Sequence, residues 1–305
     1  MSIGSFLKIV AAMLLWAACY PLITVGITLA PHLSFATLRA VIAGLALVGL
    51  ACVLRRPLPS GVGVWATLCV MGTGATTFGF LGMFHAAEFV SPGIATVIAN
   101  TQPLLAAGLA GIVLGERLQP VGKVGLFIGF LGIVVIAAPQ LFSGDQDNYL
   151  RGIAYIVLAA LGVTVSNVMI KKIAGKIDPL MAMGLQLLIG SVPLAIIAGV
   201  TEDPSAIQWS FTFVAVLLTL ALFGSALVYV LWMSVLTDVP LNQANAFSFL
   251  VPIFGLTMGV LFYGESIGWL KMVGIFLAII GVLLATRSGT SREPSGKTLP
   301  GSMQY

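Results

Sequence analysis

Arg39 is the one clear charge inside the long apolar runs of this 305-residue chain. A guanidinium in hydrocarbon is costly, so it is either paired or put to work. Two uses fit it. Its planar fork can clamp the carboxylate of a small molecule, or it can pair structurally with Glu88 from the same side. Uncharged polar groups accompany it: Asn100, Asn167, Gln186 and Asn245 carry amides, and Thr77, Thr96 and Ser248 carry hydroxyls. Amides in an apolar run need partners and are candidates for lining an internal cavity, whereas a hydroxyl can bond the carbonyl of its own helix. No Asp or Glu falls deep in any run; Glu116, Glu265, Asp178 and Asp238 mark run ends, and Glu88 and Glu202 lie in loops. Catalysis would want a paired acid and base, an activated nucleophile or a metal cluster. The chain has no HExxH, no phosphate-binding P-loop and no buried acid pair, so an enzyme is not expected. Cys19, Cys52 and Cys69 are odd in number and sit in apolar runs, which gives neither a disulfide framework nor metal spacing; no cofactor or metal is expected.

The elements that hold these residues are membrane spans. Hydrophobic residues make up 59% of the chain and charged ones 8%, against about a quarter charged in soluble domains. The expected fold is all-α, with ten transmembrane helices near 6–30, 33–54, 62–84, 90–115, 120–139, 150–172, 178–199, 210–234, 240–263 and 268–287. Leu15 to Cys19 resembles a lipoprotein cleavage site, but the start lacks a strong positive region and the first helix is needed by the repeat below, so no cleavage is expected. With the N-terminus in the cytoplasm, 11 of the 14 Lys and Arg residues fall on that side, which predicts that both termini are cytoplasmic. The basic balance is a topology signal and calls for no nucleic acid.

The chain also repeats itself. Pro103-x11-Gly115-Glu116 returns as Pro252-x11-Gly264-Glu265, 149 residues on, and residues 64–135 slide onto 213–284 at that offset without a gap. Ala66/Ala215, Leu68/Leu217, Ala95/Ala244, Gly125/Gly274 and Gly132/Gly281 are identical pairs. Each unit holds five helices, and an odd number turns the second copy upside down in the membrane. The predicted organisation is a first repeat at 1–139, a linker at 140–149, a second repeat at 150–287 and a disordered cytoplasmic tail at 288–305. An old duplication kept for packing would leave the same trace, but inverted repeats around a central site are how many transporters expose that site to each side in turn.

On these residues the chain resembles the drug/metabolite transporter superfamily with paired EamA domains. Trp16 in the first helix and Arg39-x3-Ala43 in the second match its pattern, although the Trp-Gly often seen in the first helix is absent. Within it, the long apolar spans and the aromatic supply are most similar to YddG-type amino acid exporters of bacterial inner membranes. The resemblance implies a ten-helix carrier, and the occurrence of the Arg39 position across carriers of many substrates favours a structural role for it.

Spacing separates scaffold from path. Gly125, Gly129 and Gly132, with Gly274, Ala278 and Gly281, give the fifth and tenth helices small-residue faces for close backbone contact. Trp16 and Tyr20 share a stripe on the first helix, Thr77 or Thr76 and Phe80 one on the third, and Ser225 and Tyr229, with Trp232 beside them, one on the eighth. Pro103 and Pro252 lie near mid-span, so Ala99 and Ser248 should present carbonyls that have lost their helical donor, and Pro21 frees Ala17 in the same way. Each proline is either a solvated kink or a hinge whose exposed carbonyl accepts from a substrate ammonium. The expected function is therefore export of small zwitterionic metabolites, amino acids with aromatic or other apolar side chains among them, by alternating access, downhill or in exchange. The expected partners are a small-molecule substrate and the lipid bilayer, with one chain sufficing. A proton-coupled drug or metabolite exporter is the alternative, though such pumps commonly use a buried carboxylate as relay. A nucleotide-sugar or sugar-phosphate carrier is a further alternative that would want cavity-facing Lys or Arg beyond Lys171 and Lys172 at a helix end.

Overall fold

A computed structural model describes residues 2–100, 102, 105, 109, 120–141, 146–173, 177–236, 247, 250–264, 266 and 268–287. Every regular element among them is helical. In chain order they are α1 (Ile3–Gly26), α2 (His32–Val53), α3 (Val62–Phe89), α4 (Pro92–Ala99), α5 (Pro120–Leu141), α6 (Gln146–Ile173), α7 (Pro179–Thr201), α8 (211–236), α9 (Leu250–Tyr263) and α10 (Trp269–Arg287). Six of them are long and apolar enough to cross a membrane: α1, α2, α3, α6, α7 and α8. The tail from residue 288, Glu116 and Glu265 lie outside the described residues, as do residues 142–145 of the expected linker at 140–149, whose two ends are helical and belong to α5 and α6.

Helix starts follow local chemistry. Ser2 caps α1 by accepting from Ser5 N at 3.1 Å, and Ser210 caps α8 by accepting from Phe213 N at 3.1 Å. Asp178 accepts from Leu180 N and Met181 N at 3.0 and 3.1 Å, with Pro179 in the first position, where its missing donor costs nothing. The start of α2 has no cap of its own, and one is supplied from elsewhere. Glu202, at the end of α7, accepts from Leu33 N, Ser34 N and Ser34 Oγ at 2.8, 2.8 and 2.9 Å. A second strut joins the same connections, Gln208 N donating to Leu29 O at 2.8 Å.

Packing pairs the two halves element by element. α2 lies on α7, α4 on α9 and α5 on α10, while α1 lies on α8 as α6 lies on α3. Exchanging the two halves leaves this set of pairs unchanged. In the α5–α10 pair a Cβ on Gly132 would sit 2.5 Å from the Ala278 amide and 2.7 Å from Gly274 O, and Gly281 is equally tight against Gly129. The outer faces of that pair are apolar, with Phe127, Phe130 and Phe276 exposed by 63, 62 and 65%. Rings that exposed on a glycine-packed pair suit lipid, not water. The interior between α2, α3 and α8 is closed by Phe35, whose ring meets Phe84 at 5.0 Å and Phe213 at 5.3 Å.

Two helices are locally unwound to the wider π form, at Gly72–Phe78 in α3 and Thr219–Leu227 in α8. Shifted by the repeat offset of 149, the first segment falls on 221–227, inside the second. The duplicated sequence thus folds into a duplicated distortion, of a kind frequently found at functional sites.

Candidate functional site

A cavity of about 230 Å³ opens where the two halves meet. Ligand pockets run roughly 300–1,000 Å³, so this one is sized for a small metabolite. Its lining contains three pairs related by the repeat offset: Ala75 with Gly224, Phe80 with Tyr229, and Gln102 with Val251. Trp16, Tyr20, Ala99, Asn100 and Arg39 also line it, and Trp232 stands behind Trp16 with ring centroids 5.7 Å apart.

Arg39 is 2% exposed and, among the described residues, is held by neutral groups. Its Nε donates to Ser225 Oγ at 3.1 Å, and its Nη2 donates to Gly224 O and Cys19 Sγ, each at 3.4 Å. The carbon of the guanidinium lies 4.7 Å from the centre of the Phe80 ring and 5.8 Å from that of Phe84. Nη1 is buried with no hydrogen-bond partner among the described residues. The π segment of α8 supplies both Ser225 and Gly224, so the unwinding there presents a hydroxyl and a carbonyl to the cation. Glu88 is not its partner; it stands 3.9 Å from His32 Nδ1. The expected Arg39–Glu88 pair therefore does not form.

Several polar residues expected at the cavity are spent on helix packing. Thr77 Oγ1 donates to Gly190 O at 2.8 Å and fastens α3 to α7. Ser166 Oγ donates to Gln186 Oε1 at 3.1 Å, so the buried amide of Gln186 is satisfied between α6 and α7. Thr96 Oγ1 bonds Gly93 O in its own helix at 2.6 Å, and its side chain abuts Gly255 of α9. Asn167 is exposed and is not part of the cavity wall. It is the neighbour of Ser166 in the chain, and consecutive helical residues point about 100° apart, so only one of the two can face α7.

The prolines divide. Pro21 lies inside α1, and Tyr263 Oη donates to the carbonyl of Pro21 at 2.6 Å, fixing the end of α9 to α1. Pro252 is buried in the first turn of α9. Pro103, Asn245 and Ser248 lie outside the described residues.

Spacing passed over Cys19 and Gln102, whereas Ser225 came within its reach through the repeat. Cys19 is one turn from Trp16, so the α1 stripe already contained it, and Ser225 is the repeat partner of Thr76.

The model of the EamA-like transporter family matches the chain twice, over residues 3–138 and 150–287. The chain belongs to this family. It is a multi-pass membrane protein of a transporter family, not of an enzyme family. Among curated relatives, a WAT1-related chloroplast protein of Arabidopsis thaliana is 32% identical over 82% of this chain, which spans 61% of that protein's length. Uncharacterized transporters of Bacillus subtilis and of Synechocystis are 27% and 28% identical over 92% and 93% of the chain, and 90% of each relative is covered. A solved crystal structure shares the fold at a TM-score of 0.65 and 20% identity, over 93% of this chain and 97% of its own.

Proposed function

We propose that this EamA-family protein exports small zwitterionic metabolites, amino acids with aromatic or other apolar side chains among them. Two five-helix halves, inverted relative to each other, alternate the access of one central cavity in the inner membrane, with both termini in the cytoplasm and a single chain sufficing. The observation that carries this reading is the cavity wall. Phe80/Tyr229, Ala75/Gly224 and Gln102/Val251 are repeat-related pairs, and a site on the boundary between two repeats is where a carrier of alternating access keeps its substrate. The aromatic share of the wall, Trp16, Tyr20, Phe80 and Tyr229, favours a substrate with an apolar body. The absence of Asp and Glu from the depth of every apolar run favours downhill export or exchange over a carboxylate proton relay.

Liposomes holding the purified protein and loaded with a panel of labelled amino acids test the reading. Saturable flux of aromatic and apolar members without an imposed pH gradient is the expected result. Accumulation that occurs only under a pH gradient would refute the coupling, and flux of none of the panel would refute the substrate class.

A further inference from the structure

We propose that the cavity recognises its substrate by a carboxylate held on Arg39, and that an amine is dispensable, so that apolar monocarboxylates without a nitrogen are also carried. The inference rests on the cavity being the transport site and adds the identity of the group that is read. A guanidinium has five N–H donors in a planar fork. Here Nε and Nη2 are used on a hydroxyl, a carbonyl and a sulfur, while Nη1 keeps its two hydrogens without a partner among the described residues although the residue is buried. Burying a cation among neutral dipoles leaves its charge uncompensated. The apolar runs contain no Asp or Glu to compensate it, and Glu88, the nearest candidate in the sequence, stands beside His32.

A monoanion entering the cavity supplies what is missing. Its carboxylate can take up the free N–H bonds in charge-assisted form, which are about twice as strong as neutral ones. One cation matches one negative charge, which sets a monocarboxylate apart from a phosphate dianion. The opposite end of a zwitterion meets no comparable group. Among the described wall residues an ammonium finds only neutral amide and hydroxyl groups, such as Asn100 and Gln102, and ring faces such as Trp16 and Tyr20. The carboxylate is therefore the group the wall discriminates.

The test uses the full chain in lipid nanodiscs, titrated with L-phenylalanine, 3-phenylpropionate and phenethylamine. Binding is followed by tryptophan fluorescence, because Trp16 lines the cavity and the Trp232 ring stands tilted against it. Phenylpropionate should bind within about tenfold of phenylalanine, and phenethylamine roughly 30-fold or more weaker. Arg39→Gln should remove the binding of both carboxylates, and Arg39→Lys should restore part of it, since a point charge replaces a fork. Phenylalanine and phenethylamine binding alike while phenylpropionate fails would overturn this inference and leave amino acid export standing. Phenylpropionate binding while phenylalanine fails would uphold it and overturn the amino acid reading. Should Arg39→Gln not fold, the three-compound comparison on the natural chain decides alone.

Discussion

The two π segments share a shape and differ in what they touch. In α3, Gly72 lies so close to α7 that a Cβ would come within 2.7 Å of Gln186 O, Gly74 is as tight on Gly162 of α6, and Thr77 bonds Gly190 O. That segment is a seam, meeting the cavity through Ala75. In α8, Gly224 lies against Cys19 Sγ, and Ser225 with the Gly224 carbonyl holds Arg39. Duplication furnished one backbone geometry twice, and side-chain differences then made one copy a joint and the other a wall. The charge sits on α2 opposite the α8 segment, whereas α7 offers the α3 segment the neutral, internally satisfied Gln186.

Substitutions can break this contrast. The largest effect is expected from Gly190→Leu, whose added atoms run into the carbonyl of Gly72; the loss should reach about 1–3 kcal/mol or more, read as a lower thermal midpoint or loss of the monodisperse species. Gly199→Ala, with nothing within 4 Å, should be neutral or slightly stabilising in the same assay. Next, Arg39→Gln should abolish carboxylate binding while leaving the thermal midpoint unchanged or raised, because it removes an uncompensated buried charge. A large drop in that midpoint would make Arg39 a structural residue. Smaller and opposite in pattern, Thr77→Val should cost about 0.5–1.5 kcal/mol of stability with unchanged affinity, whereas Ser225→Ala should weaken ligand binding severalfold. Equal affinity changes in the two would erase the distinction between joint and wall. Comparable to Thr77→Val is Glu202→Gln, about 1 kcal/mol, from loss of negative charge at the start of α2 and of one acceptor there, since an amide nitrogen cannot accept in place of an oxygen.

The helices were legible because span length and apolarity are local properties. Expected limits of 178–199 and 268–287 meet observed helices Pro179–Thr201 and Trp269–Arg287. The glycine faces of α5 and α10 were legible for a related reason, since regular spacing on a straight helix predicts a contact line. Trp16 and Tyr20 reached one cavity by the same regularity. Spacing failed where the helix is not regular. A π segment adds residues to a turn and rotates the rest of the helix, so a stripe through Thr77 and Phe80 at ordinary spacing joins residues that face different neighbours. Partnerships between helices were also out of reach. Nothing in the spacing of Gln186 says that Ser166 is waiting for it, nor that Glu88 would stand by His32 and not by Arg39.

Glu202 carries a mechanical implication. Its carboxylate receives three donors from the head of α2, and Gln208 grips Leu29 beside it, so two connections from opposite halves are riveted together. Prising α2 from α7 at that end would strand an anion and three donors at once. Widening of a passage there is cheapest if these two helices travel together as a post, with the give taken up by their neighbours.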